Sequence, residues 1–362
     1  MKILHIHPAM SGGGIEAMIC GLANEMAKTN DVTVCSIFSP NENDIFWNKL
    51  CPLVHRISLG KAKQGFSLKT IYQIYELIRK GKYEAVNMHG FFYYYVLPVY
   101  TLRRKTCFFY TIHSEAHHEN GSWSRYVFPL KKLAFTKGYA HPITISSTSN
   151  DSFKRLYGID GKIIENGIPK PVITNHFNLV EQYRITSNTK VFVHPGRINK
   201  AKNQVVLCQV FNTLIEKGRD VVLVIAGSIQ ERVIYEALQP YFSDRIRYVG
   251  ERSDIPELLS RCDGLCLPSI WEGLPVTLLE ALSVGCVPIC SPVGGIVDVI
   301  QNGKNGILSK SSSYNDYLEA VETYLALAEV ELVRLKENAA KSFEPYEITK
   351  TASKYLDYYQ NH

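Results

Sequence analysis

The stretch GLCLPSIWEGLPVTLLEALSVGCVPICSP, residues 264–292, decides the fold. GLCLPS (264–269) is a short apolar run of strand character, and CVPICSP (286–292) is another. Between them Pro275 suits the first turn of a helix, where its missing N–H is an orphan anyway, and Gly285 suits the end of one. The helix so bounded runs about ten residues. Strand, helix, strand in this order is the unit of a parallel, doubly wound sheet, which places ligands at the carboxyl ends of its strands.

The same rhythm extends outward in both directions. Upstream, VFVHPGR (191–197), VVLVIAG (221–227) and RIRYVG (245–250) are strands, with helices over 203–220 and 255–262. Downstream, GIVDVIQNGKNGIL (295–308) closes the series. An earlier series begins at KILHIHP (2–8), a buried strand, followed by the glycine turn SGGG (11–14) and a helix over 15–30. DVTVCSIF (31–38), YEAVNMHG (83–90), TCFFYTIH (106–113) and PITISSTS (142–149) continue it as strands, with a helix over 68–82. The Pro/Asn-rich segment 169–190 breaks the rhythm and marks a boundary. The expectation is two α/β Rossmann-like domains, 1–168 and 169–344, and a cleft between such domains is a favoured ligand site. EITKTASKYLDYYQ (347–360) is an amphipathic helix with Ile348, Ala352, Tyr355, Leu356 and Tyr359 on one stripe.

Bulk properties agree with two domains. A length of 362 residues exceeds what one core usually supports, roughly 250–300 residues. Met1 leads straight into a strand pattern, without the apolar core or cleavage site of a signal peptide. No apolar run reaches the length of a membrane span, and the nearest, FFYYYVLPVYTL (91–102), contains Pro98. The nine cysteines form no CxxC and suit a reducing, cytoplasmic compartment. Cys262/Cys266 and Cys286/Cys290 invite a zinc reading by spacing, but their apolar runs suit cysteine as a small hydrophobe. Residues 1–170 carry 21 Lys+Arg against 12 Asp+Glu, whereas the remainder carries 19 against 22. The basic half either meets an anionic partner or is a solvated surface.

Glu272 and Glu280 are the two acids of the opening stretch, which contains no Lys or Arg. Eight helical residues span about 12 Å and about 80° of rotation, so the pair reads as two separate contacts rather than an acid and base on one bond. Glu280 has Val276 and Val284 as its i±4 neighbours, so a ligand rich in hydroxyls suits it. The alternative is exposure, or bonding to backbone N–H groups.

GRINKAKN (196–203) offers Arg197 and Lys202, a bidentate and a point-charge phosphate binder, or else a solvated basic loop. HPAMSGGGIEA (7–17) places successive glycines before a helix, where backbone N–H groups can approach an anion; it is neither GxGxxG nor a P-loop. In YTIHSEAHHENG (110–121), His113 ends a strand, where site residues and structural histidines both occur. His117, His118 and Glu119 are too close in sequence to converge on one metal from a regular element.

Taken in order, the glycine turn, the strand-end His, GR-x4-K and E-G-x-P-x4-E resemble the retaining glycosyltransferases of glycosyltransferase family 4, which have the GT-B fold. IENGIP (164–169) and SPVGGIVDVIQNGKNGIL (291–308) extend the resemblance to nearly the whole chain. It implies two doubly wound domains facing across a cleft, with a C-terminal helix, about 345–362, crossing back to the first. It further implies that Arg197 and Lys202 hold the donor diphosphate, that Glu280 accepts from ribose hydroxyls, and that Glu272 faces the donor sugar. The backbone of Gly273, Leu274, Pro275 and Val276 would contact sugar or phosphate. Gly13 and Gly14 would close on the donor, His113 would stand near the reacting carbon, and the loop GERSD (250–254), with Glu251 and Arg252, would meet the nucleobase.

The implied reaction moves a hexose or N-acetylhexosamine from a nucleotide-sugar, a UDP-sugar foremost, to a glycan or polyprenyl-diphosphate-linked acceptor, with retention. No DxD motif is present and no metal or other cofactor is expected. The setting implied is bacterial surface-polysaccharide assembly in the cytoplasm, peripheral to the plasma membrane. Lys61, Lys63, Lys69, Arg103, Arg104, Lys105, Lys131 and Lys132, interleaved with the aromatic run 91–95, would face anionic lipid or a lipid diphosphate, although the aromatic run taken alone suits the core. The alternatives are a GT-B sugar-nucleotide epimerase and a non-catalytic sugar-nucleotide-binding module. The absent GxGxxG disfavours a nicotinamide enzyme, and no nucleic-acid reader motif is present.

Overall fold

The computed structural model describes residues 1–42, 44–62, 65–116, 124–173 and 179–362. Two compact units result, Met1–Pro169 with Tyr346–His362, and Lys170–Pro345.

In the first unit the strands are β1 (Lys2–His7), β2 (Asp31–Phe38), β3 (His55–Lys61), β4 (Ala85–Met88), β5 (Cys107–Ile112), β6 (His141–Thr144) and β7 (Lys162–Ile163). They form a parallel sheet in the order β3-β2-β1-β4-β5-β6-β7. The order reverses between β1 and β4, so a crevice opens at the carboxyl ends of these two strands. The connecting helices are α1 (Gly14–Met26), α2 (Ile45–Asn48), α3 (Leu68–Gly81), α4 (Val96–Leu102), α5 (Ser124–Thr136) and α6 (Ser147–Tyr157). Helix α3 shows the local logic. Ser67 Oγ caps it by accepting from Thr70 N at 3.2 Å, and Thr70, Ile74 and Ile78 form its buried stripe. It ends where Lys82 takes the left-handed conformation.

The second unit repeats the plan with β8 (Lys190–Pro195), β9 (Val221–Ala226), β10 (Ile246–Tyr248), β11 (Gly264–Leu267), β12 (Pro288–Cys290) and β13 (Ile307–Leu308). Its parallel order, β10-β9-β8-β11-β12-β13, reverses between β8 and β11. Its helices are α7 (Gln204–Glu216), α8 (Arg232–Leu238), α9 (Ile255–Arg261), α10 (Val276–Ser283), α11 (Ile296–Val299), α12 (Tyr314–Leu325) and α13 (Glu329–Ser342).

The last helix, α14 (Ile348–Gln360), returns to the first unit and packs on α1. It buries Ile348, Thr351, Ala352, Tyr355 and Tyr359, and each large apolar side chain so buried is worth roughly 1.5–3 kcal/mol. The two tyrosine hydroxyls are not left dry: Asn87 Nδ2 donates to Tyr359 Oη at 2.8 Å, and Tyr355 Oη lies 3.5 Å from Thr111 Oγ1. Thr111 in turn donates to Asn87 Oδ1, so a closed polar network sits inside the core.

Three expectations need correction. PITISSTS is a strand only to Thr144; Ser146 Oγ accepts from Ser149 N at 3.0 Å and starts α6 instead. Lys131 is no part of a basic surface. It is 6% exposed, with Nζ 4.3 Å from the Tyr110 ring centroid and within 6 Å of Phe92, Phe135 and Tyr157. Strand β3 was missed because half-exposed side chains alternate along it without the apolar run of its neighbours. Within the aromatic run, Phe92, Tyr94 and Tyr95 are core. Lys63, His117, His118 and Glu119 lie outside the described residues. Among the described residues no helix is long and apolar enough to cross a membrane.

Candidate active site

In the second unit two loops leave the strands at which the sheet order reverses. The loop after β8 carries Arg197 and Lys202, and the loop after β11 carries Glu272. They meet in an ion pair: Lys202 Nζ donates to Glu272 Oε1 at 2.6 Å, with the side chains 18% and 10% exposed. Ser269 Oγ donates to the same oxygen at 2.7 Å. Glu272 is thus not an acid without a cation; its partner comes from a loop 70 residues away. Both bonds fall on Oε1.

The loops are fastened to one another. Asn199 Oδ1 accepts from Lys202 N at 3.1 Å and closes the turn that carries the lysine. Asn203, left-handed at φ 57°, donates from Nδ2 to the carbonyls of Pro268 (3.1 Å) and Ser312 (2.9 Å). Ile270 N donates to Ala201 O at 2.8 Å. Arg197 extends into solvent while its carbonyl accepts from Gln204 Nε2 at 2.9 Å.

Two glycines let the backbone pass behind these loops. Gly294 has φ 53°, and a Cβ there would stand 2.0 Å from Glu272 O; next to it Gly295 N donates to Gly273 O at 2.5 Å. Gly227 has φ 155°, and a Cβ would stand 2.0 Å from Gly196 O. The VGG run therefore seats the Glu272 turn, and the glycine after β9 seats the Gly196–Arg197 turn.

Pro275 caps α10, and Leu274, Pro275 and Val276 are buried while Gly273 is half-buried. Glu280 is half-buried on this helix. Its own carbonyl accepts from Ser283 Oγ at 2.6 Å. In the loop at 250–254, Glu251 is exposed, but Arg252 is held by a two-pronged pair with Asp254 at 2.7 and 2.5 Å. The guanidinium thus braces the turn into α9.

In the first unit the switch-point strands and their neighbour bring histidines together. His5 Nδ1 lies 3.1 Å from His89 Nε2, and His89 Nδ1 lies 2.9 Å from His113 Nε2. His7 Nδ1 donates to His89 O at 2.9 Å, and its Nε2 is 3.6 Å from Glu16 Oε1. Burial pushes His5 down to about 4, His113 to about 3 and His89 well below the usual histidine range. All three rings are therefore neutral at pH 7. Gly13 precedes α1 in an extended conformation (φ 171°) that any residue adopts, and a Cβ there would meet only the far end of the Glu16 side chain, 2.5 Å from Oε2, which can turn aside. Gly14 opens the helix itself.

Sequence reasoning singled out His113, Lys202 and Glu272 but passed over their neighbours His5, His89 and Ser269, and His194 at the end of β8. The available signal was a repeated one: HIH, HP, MHG and TIH place histidines at the carboxyl ends of β1, β8, β4 and β5. His194 Nδ1 donates to Cys266 O at 2.8 Å, and its buried Nε2 has no partner among the described residues. Burial holds that ring down to about 4. The cysteines are all free thiols; Cys262 Sγ and Cys286 Sγ lie 3.5 Å apart in the core, where burial pushes the Cys262 thiol well up. Among the described residues no three His, Cys, Asp or Glu side chains gather as a metal-binding group.

Residues 12–170 match the family model for glycosyltransferase family 4, and residues 176–342 match that for glycosyl transferases group 1. A relative from Campylobacter jejuni, N,N'-diacetylbacillosaminyl-diphospho-undecaprenol alpha-1,3-N-acetylgalactosaminyltransferase, is 30% identical over 64% of this chain and 62% of its own length. The UDP-Gal:alpha-D-GlcNAc-diphosphoundecaprenol alpha-1,3-galactosyltransferase of Escherichia coli is 26% identical over 84% of this chain and 78% of its own. Among solved structures, HepE of Anabaena in complex with UDP-glucose superposes with a TM-score of 0.83 at 17% identity, covering 100% of both chains. At that identity the likeness establishes the fold, which is GT-B.

Proposed function

The chain is a glycosyltransferase, a family 4 domain followed by a group 1 domain, and from that premise we propose that it transfers a hexose or N-acetylhexosamine from a UDP-sugar to a lipid-linked sugar acceptor. We place the reaction in the assembly of a bacterial surface polysaccharide, at the cytoplasmic face of the membrane. The two relatives above carry names that specify undecaprenyl-diphosphate sugar acceptors.

The observation that carries the reading is the Lys202–Glu272 pair at the switch point of the second unit. A carboxylate with one oxygen fixed and the other open suits a sugar hydroxyl. An ammonium beside it suits the diphosphate to which that sugar is attached. As the anomeric C–O bond breaks, negative charge grows on the departing diphosphate. Lys202 and Arg197 are then the stabilising cations, and fixed charge of this kind supplies a large share of a transfer enzyme's rate. No carboxylate is assigned as a nucleophile. In our reading the acceptor oxygen attacks from the face the diphosphate leaves, the configuration is retained, and a donor phosphate oxygen takes the acceptor proton. Arg197 and Lys202 do the work a metal would otherwise do. Glu280 takes the ribose hydroxyls, the 250–254 backbone takes the base, and His113 with Gly13 and Gly14 serves the sugar end.

The test is transfer from a panel of radiolabelled UDP- and GDP-sugars to a polyprenyl-diphosphate-linked N-acetylhexosamine, with and without EDTA. We expect one UDP-sugar to be used, an α-linked product from an α-donor, and full activity in EDTA. Lys202→Ala should lower kcat more than affinity, and Glu280→Ala should weaken donor binding. Full transfer by both variants would remove the site assignment, and an inverted product would remove the mechanism.

A further inference from the structure

We infer that His194 is a positioning residue for Lys202: its Nε2 takes the Lys202 ammonium when the donor engages Glu272, and so keeps that charge aimed without cancelling it. The ring stands near the carboxyl end of β8 and is 0% exposed. Its tautomer is fixed by geometry. Nδ1 lies 2.8 Å from Cys266 O, and a carbonyl only accepts, so Nδ1 carries the hydrogen. The strand register shows what this bond does. Backbone pairing of β8 with β11 joins Phe192 to Gly264 and Val193 to Leu265. One step further along, at the switch point, the His194 side chain takes over and bonds Cys266. Nε2 of the neutral ring is then a bare lone pair, buried and without a partner among the described residues.

That lone pair and the lysine meet over Gly196. A Cβ on Gly196 would stand 3.4 Å from His194 Nε2 and 3.6 Å from both Cδ and Cε of Lys202. The glycine leaves that space open. Lys202 Nζ is one bond beyond Cε, and it donates to Glu272 Oε1 at 2.6 Å. An ammonium has three donors on a flexible stem, so rotation of its last bonds brings it from one acceptor to the other. After burial and the Cys266 carbonyl, the groups that act on the His194 ring are Lys202 and Glu272. The two acceptors differ in charge. Glu272 orients the ammonium and also neutralises it. An imidazole lone pair orients it and leaves its charge for the diphosphate, where fixed charge lowers the barrier.

This inference rests on the proposed donor site, but its first test needs no donor. Long-range proton–nitrogen NMR correlation on histidine-labelled protein reports the His194 Nε2 resonance, assigned by its loss in His194→Asn. Glu272→Ala frees the ammonium and should move that resonance upfield, the sign of a nitrogen gaining a hydrogen bond. Adding Lys202→Met to Glu272→Ala should return it to the wild-type position, and equal positions with and without the lysine overturn the inference. UDP titrated into the wild-type protein should give the same upfield movement, and Lys202→Met should abolish it. Binding of UDP without the movement also overturns the inference. Movement in Glu272→Ala with no UDP binding by the wild-type protein establishes the contact and removes the donor assignment instead. Activity supplies the second test. His194→Asn keeps an amide donor for Cys266 O and deletes the Nε2 acceptor. It should lower kcat about tenfold with KM within about twofold, the lower end for a hydrogen bond to a charged group. Gly196→Ala fills the space between ring and lysine at ordinary contact distances and should do the same. Unchanged kcat in both variants would reduce His194 to a strand-bridging residue and overturn its role toward Lys202.

Discussion

Replacing Gly294 with alanine tests whether the VGG run holds Glu272 in place. The substitution has two separable effects. Gly294 has φ 53°, and placing a side chain in the left-handed region costs about 1–2 kcal/mol. The new Cβ would also stand 2.0 Å from Glu272 O and near Gly273 O at 2.9 Å. Backbone cannot rotate away as a side chain can, so the Glu272 turn must retreat by about 1 Å, a displacement that can cost roughly a hundredfold in a reaction that depends on alignment. Gly303→Ala separates the two effects. Gly303 has φ 71°, and its Cβ would meet nothing within 4 Å, so it carries the strain without the collision. Calorimetry should show Tm lowered by roughly 2–8 °C in Gly303→Ala, from about 1–2 kcal/mol in a unit of this size, with kcat/KM within about twofold of wild type. Gly294→Ala should lose at least as much Tm and about a hundredfold in kcat/KM. If Gly294→Ala keeps kcat/KM within a few-fold of Gly303→Ala, the glycine does not position the carboxylate.

Other outcomes follow from the same contacts. Asn203→Gly relieves the left-handed strain but deletes the bonds to Pro268 O and Ser312 O. Urea denaturation should show a net loss of about 1–2 kcal/mol, whereas a gain would mean that those bonds do not fasten the loops. Lys131→Ala should cost about 2–4 kcal/mol through lost packing and ring contacts, while exposed Lys132→Ala should stay within about 0.5 kcal/mol. Histidine burial sets the pH dependence. His194 is held down to about 4 in the folded chain against an ordinary 6.5, so between those values the unfolded chain binds more protons and stability falls as pH falls. His194→Phe should flatten that fall by at most about 1.4 kcal/mol per pH unit, and an unchanged slope would place the proton uptake elsewhere.

Much of this fold is legible in the sequence, for physical reasons that differ between fold and site. The parallel strands are buried on both faces, so VVLVIA and GLCL read as strands without any partner being known. The half-exposed edge strand HRISLGK lacked that signal, and PITISSTS looked uniformly strand-like because serine's role as a helix cap depends on one hydrogen bond, Ser149 N to Ser146 Oγ. Candidate site residues on loops after strands are singled out by position. Their partners are not, since Lys202 and Glu272 are 70 residues apart and His5 and His89 are 84 apart.

The two units solve one problem in opposite ways. At the second unit's switch point, charge is kept and paired: an ammonium and a carboxylate share a short bond. At the first unit's switch point, charge is removed by burial, leaving three neutral imidazoles whose only freedom is where each proton sits. A paired charge answers to charge on a ligand, and a neutral chain answers to the direction of a hydrogen bond. Substitutions should separate along that line. Lys202→Ala should change the salt dependence of donor binding, because it removes a full charge from the anion's surroundings. His89→Leu removes no charge and should leave the salt dependence alone.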